Sequence, residues 1–138
     1  MLDQISKVSL LTQILLVRFI DGTAKLCEVN ENAILDVNTL NFHAIGSGQA
    51  QALNTMMFQK HARSDSLQTT IYDVYKAKKN SEVSPGVGKE TDLIILLEGK
   101  MLKLGAECLK KLDSIYNEEH IRGRTDKRLA EVLSNVLK

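Results

Sequence analysis

The chain has 138 residues, 43% of them hydrophobic and 25% charged, with 4% aromatic and no Trp. That length suits one domain of ordinary size whose core must be aliphatic, and one Pro among eight Gly argues against disorder. Eighteen basic against seventeen acidic residues leave a net charge of +1, which supplies no electrostatic footprint for nucleic acid or a membrane surface.

The opening MLDQISKVSLLTQILLVRF has no basic n-region or small-residue cleavage site, and its apolar run at 14–17 falls far short of the ~20 residues that span a bilayer. Residues 9–20 are rich in Leu, Ile and Val and meet Asp21-Gly22, a dipeptide suited to the positive φ angles of a tight hairpin. Residues 24–29 alternate in polarity, and Asn30-Glu31-Asn32 supplies a second turn because Asn tolerates left-handed backbone. Residues 33–37 and 40–45 complete a predicted antiparallel meander. At Gly46-Ser47-Gly48 the period changes. Ala50, Leu53, Met56 and Met57 predict a helix over 49–60 with both methionines on its inner face. Ser64-Asp65-Ser66 can cap a second helix striped by Leu67, Ile71, Val74 and Tyr75, whose basic end (Lys76, Lys78, Lys79) reads as solvated and complements the helix dipole. A turn-rich stretch from Ser81 to Glu90 leads to the apolar run 93–97, predicted as a strand covered on both faces. The last residues predict two helices, 104–119 with Cys108 on its buried stripe and 125–137 after a break at Arg122-Gly123-Arg124. The chain thus divides into a strand meander (1–45), a helix pair (46–80), a loop and strand (81–97) and C-terminal helices (98–138), in one α+β domain.

Few constellations could carry chemistry. Gly46-Ser47-Gly48 is a sharp strand-to-helix corner where backbone N–H groups and the Ser47 hydroxyl could hold a polar reactant; the plain reading is a tight turn capped by Ser47. The Gly86–Thr91 stretch at 86–91 lacks the spacing of a phosphate loop and precedes a strand. His43, His61 and His120 show no zinc spacing with Cys27 or Cys108, so no metal and no cofactor is expected. Two cysteines are too few for a disulfide framework, which points to a reducing cytoplasm.

Several segments in order resemble the proteasome-type N-terminal nucleophile hydrolases: Leu15-Leu16-Val17-Arg18-Phe19-Ile20-Asp21-Gly22, then Ala24-Lys25-Leu26-Cys27-Glu28-Val29, then Phe42-His43-Ala44-Ile45-Gly46-Ser47-Gly48-Gln49-Ala50-Gln51-Ala52, a helix over 65–79, and Val87-Gly88-Lys89-Glu90-Thr91-Asp92-Leu93-Ile94-Ile95. The resemblance covers residues 12–97. It implies an αββα sandwich of two antiparallel sheets between helical layers. It also implies peptide- or amide-bond hydrolysis by an N-terminal Thr, Ser or Cys whose α-amine, titrating near neutral pH, is the base. By match, Ser47 and Gly48 stand where that amine is supported, and Ser84 stands at the serine of an Asp-x-x-Ser pair whose Asp is Ser81 here. The family's strands bearing the nucleophile, its acidic neighbour and its lysine have no counterpart in residues 1–11. The expectation is therefore the C-terminal portion of such a hydrolase: an incomplete sandwich with no complete catalytic set, inactive by itself. Its partners would be its missing N-terminal portion or further copies of itself. The alternative is a small cytoplasmic α+β protein that works by association. A nucleic-acid module on the C-terminal helices is disfavoured, because Glu118, Glu119 and Glu131 dilute the field of Arg122 and Arg124.

Overall fold

A computed structural model describes residues 12–124. The predicted helix over 125–137 lies outside them.

Asp21 and Gly22 take φ of 49° and 71°, the two left-handed positions of a two-residue hairpin loop. They join β1 (Ile14–Ile20) to β2 (Thr23–Val29) in full antiparallel register, from Ile20 opposite Thr23 to Ile14 opposite Val29. The turn at Asn30 works differently from expectation. Its backbone is not left-handed; the Asn30 side-chain oxygen accepts from the N–H groups of Asn32 and Ala33, both at 3.0 Å. β3 (Ile34–Asp36) follows and pairs with Cys27–Val29 at 27–29, placing β2 at the centre of the sheet.

No strand forms over 40–45. A 3-10 turn (Asn38–Leu40) ends at Asn41, whose φ of 61° breaks the extended backbone. Asn38 then uses its amide to imitate a strand partner, accepting from Leu26 N at 2.8 Å and donating to Leu26 O at 3.3 Å.

Three helices follow: α1 (Gln49–Phe58), α2 (Leu67–Ser81) and α3 (Ala106–Arg124). Ser66 caps α2, accepting from Thr69 N at 3.1 Å. α2 is the middle helix, with Asp73, Tyr75, Ala77 and Ser81 all buried. Between α2 and α3 lies β4 (Ile94–Leu97), and the chain returns as β5 (Lys100–Lys103), a hairpin that sequence periodicity did not disclose. Its turn rests on Gly99 at φ 71°.

The molecule is therefore α+β, with one three-stranded and one two-stranded antiparallel sheet beside three helices among the described residues. The two sheets share no ladder. Among the described residues the buried apolar ones are Met56, Tyr75, Ala77 and Leu93. Several expectations are corrected by this packing. β4 is not covered on both faces, since Ile94 is 55% exposed. Met57 points to solvent while Met56 is core. α3 turns Leu109, Leu112 and Tyr116 inward and leaves Cys108 and Ile115 outside. Its backbone stays helical through Arg122-Gly123-Arg124, because one Gly costs a helix only about 1 kcal/mol.

α3 docks on α2 through polar side chains. Tyr75 Oη donates to Asp113 at 2.9 Å and Tyr116 Oη to Asn80 at 2.7 Å, while Tyr72 and Lys76 both donate to Glu119. Asn80 donates onward to Thr55 of α1 at 3.1 Å. The lysines expected in solvent are thus engaged: Lys76 with Glu119, Lys78 with Glu82, and Lys79 with Glu82 and Asp113. No helix among the described residues is long and apolar enough to cross a membrane.

Candidate functional site

The corner between the first sheet and α1 is built on two glycines for different reasons. Gly46 takes φ of 90°, a conformation that side chains disfavour, and its carbonyl accepts from Gln49 N to start α1. Gly48 has an ordinary φ of −92°; what it lacks is room. A Cβ there would stand 2.7 Å from Ser81 Cβ and 3.0 Å from Val87 Cγ2. The C-terminal end of α2 and the 81–88 turn therefore pack directly on the corner's backbone. Gly48, not Ser47, holds the cap position, and no side chain caps α1. Ser47 is left exposed, with its Oγ 3.4 Å from where a Cβ on Gly86 would lie.

The facing turn is self-contained. Ser81 Oγ donates to Lys78 O at 2.6 Å, Ser84 N to Ser81 O, and Val87 N to Ser84 O. Lys78 Nζ reaches Gly88 O at 2.7 Å and Glu82 at 2.6 Å. Burial raises the Glu82 carboxyl, but the hydrogen bonds from Lys78 and Lys79 outweigh it and hold the group below its ordinary range. Ser84 is buried, and its Oγ has no hydrogen-bond partner among the described residues.

Corner and turn border an open cavity of about 530 Å³, lined by apolar groups that include Phe42, Leu53, Met56 and Val74, with Ser47 and His43 among its polar linings. That size is in the range of small-molecule and peptide side-chain sites. On the sheet side, His43 Nε2 donates to Glu28 Oε2 at 2.6 Å, with only 13% and 7% of the two side chains exposed. Glu28 also accepts from Gln13 at 3.0 Å and from Asn30. The His43 bond, followed by those of Asn30 and Gln13, holds the Glu28 carboxyl below its usual range. Gln13 accepts in turn from Gly46 N, so one polar chain anchors the corner to β1 and β2.

Of the three residues singled out by sequence, Ser47 and Gly48 line the cavity, and Ser84 lies in the turn packed against them without lining it. Sequence reasoning missed the His43–Glu28 pair, fifteen residues apart in the chain and joined only when β2 is placed. Among the described residues no general base is hydrogen-bonded to Ser47 Oγ, and His43 spends its Nε2–H on Glu28. The arrangement can bind and orient a polar group beside an apolar cavity; it lacks a nucleophile–base pair. No protein-family model, no curated protein and no solved structure matches the chain.

Proposed function

We propose that the chain carries the amine-supporting half of a proteasome-like N-terminal nucleophile hydrolase, acting on peptide or amide bonds once a terminal nucleophile is supplied. The observation that supports this most is the Gly48–Ser81 contact, which sets Ser47 Oγ, free of other hydrogen bonds among the described residues, at an apolar cavity. In this reading a terminal α-amine donates to Ser47 Oγ and takes the proton of its own hydroxyl or thiol nucleophile. The cavity receives the substrate side chain.

The test combines intact-mass N-terminal sequencing of the protein from its native cells with turnover of fluorogenic peptide amides. The expected species opens on Thr, Ser or Cys and hydrolyses the amides, and Ser47→Ala slows it roughly 10²-fold. A native chain that opens at Met1, or turnover indifferent to Ser47, overturns the proposal.

One observation favours a second reading, an association module. Both sheets leave apolar side chains in solvent, among them Leu16 at 52%, Ile34 at 74% and Met101 at 68% exposure. Under that reading the native protein is inert toward amides and self-associates with rising concentration on size exclusion.

A further inference from the structure

A second cluster, apart from the cavity, joins the end of α1 to the middle of α2. Lys60 takes a left-handed φ of 55°, and His61 N bonds back to Met56 O, which turns the His61 ring beneath the helix pair. There His61 Nδ1 lies 3.1 Å from Asp73 Oδ2 and 3.3 Å from Asp65 Oδ2. The His61 and Asp73 side chains are 6% and 7% exposed, and Asp65 is 29% exposed. Phe42 meets the imidazole edge-on at 6.1 Å and fixes its plane.

The charges do not balance. Two carboxylates face one imidazole, and among the described residues no Lys or Arg forms an ion pair with either Asp. A largely buried excess of negative charge is costly unless a cation neutralises it.

We propose that His61 Nδ1, Asp65 Oδ2 and Asp73 Oδ2 form a binding site for a divalent first-row transition cation, with Zn²⁺ as its type. The spacing supports this. Ligands about 2.0–2.1 Å from zinc stand about 2.9 Å apart at right angles and about 3.4 Å apart in a tetrahedron. The two imidazole–carboxylate distances, 3.1 and 3.3 Å, fall between these. One ligand atom of each residue lies within 4.8 Å of the others, and Asp65 Oδ2, which also accepts from Ala62 N at 2.8 Å, exchanges or shares that bond to close the set. The donor set also discriminates. An imidazole nitrogen disfavours calcium and magnesium, and the absence of thiolate disfavours Cu(I). Binding displaces the Nδ1 proton, which leaves to solvent or moves to Nε2, and the cation replaces that proton as the link between the α1–α2 turn and α2. Three protein ligands leave a coordination position for water. The site does not depend on the hydrolase reading.

The experiment is titration of the chelator-treated 138-residue chain with Zn²⁺ by calorimetry, and with Co²⁺ by visible absorption, in a Cys108→Ser background that removes the exposed thiol. Mg²⁺ serves as the contrasting cation. The expected result is one Zn²⁺ per chain at micromolar affinity or tighter, weakened at least about tenfold by His61→Gln and by Asp65→Asn. Asp65→Asn removes the most exposed ligand and keeps the test valid should loss of His61 unfold the chain; circular dichroism confirms its fold. No stoichiometric Zn²⁺ binding, binding unchanged by Asp65→Asn in a folded chain, or Mg²⁺ binding as tight as Zn²⁺ overturns the proposal.

Discussion

Replacing Gly48 with Ala isolates the contact on which the corner depends. The backbone at φ −92° accepts Ala, so no torsional strain enters and the cost is steric. The new methyl would lie 2.7 Å from Ser81 Cβ, about 0.8 Å inside the shortest comfortable carbon–carbon separation of about 3.5 Å. Ser81 Cβ is fixed to the α2 backbone and no rotamer moves it, so the helix end or the corner must give. Overpacking of this kind costs about 1–3 kcal/mol. Against it stands about 0.5 kcal/mol gained by restricting the unfolded chain. The net expectation is a loss of about 1.5 kcal/mol, or roughly 5–8 °C in Tm for a chain of this length. Urea and thermal unfolding of Gly48→Ala, Ser81→Gly and the double variant measure it. Removing the Ser81 Cβ should recover about 1 kcal/mol or more, beyond additivity, in the double variant. Wild-type stability in Gly48→Ala, or strict additivity with Ser81→Gly, would refute the claim that α2 packs on the corner's backbone.

Two further outcomes concern the helix interface and the hairpin. Hydrogen bonds from Tyr75 and then Lys79 hold the Asp113 carboxyl low, and bonds from Lys76 and then Tyr72 do the same for Glu119. Both folded values lie below the ordinary ones of 3.8 and 4.5, so their stabilisation is full above about pH 4.5 and is lost as pH falls through the folded values. The urea midpoint should drop across that acid range, and the drop should shrink in Glu119→Gln and Asp113→Asn; an identical acid profile in both variants counts against the interface. At the first hairpin, Gly22→Ala forces a side chain into φ 71° and should cost about 1 kcal/mol by thermal melting. A neutral or stabilising effect there would contradict the assigned turn.

The elements legible in the sequence were those whose signal is local. Asp21-Gly22 specifies its own turn, Ser66 its own helix start, and Gly46-Ser47-Gly48 the change of period. Helix α1 ends two residues before the expected boundary because Gln59 and Lys60 close its last turn. The β4–β5 hairpin escaped notice because Glu98-Gly99 is a weaker turn signal than Asp-Gly and β5 is only four residues long. Residues 40–45 read as a strand from composition, yet Asn38 and Asn41 divert the chain first. For the candidate site, Ser47 and Gly48 were visible as a motif, whereas His43 and Glu28 showed nothing in common until a sheet brought them within 2.6 Å.

By itself the sequence determined the α+β class, the opening strand meander through β3, the helix pair α1–α2, strand β4 and the glycine corner, because backbone preference and hydrophobic period act over a few residues. Only the tertiary structure decided which side of each helix is inside. α3 half-buries Leu109, Leu112 and Tyr116 and leaves Cys108 exposed, since its neighbour α2 offers Asn80 and Tyr75 as polar partners along that line. It also decided that Lys76 would pair with Glu119 and Lys79 with Asp113, and that His61 would meet Asp73. Charges separated by tens of residues meet only through packing, and no local period carries that information.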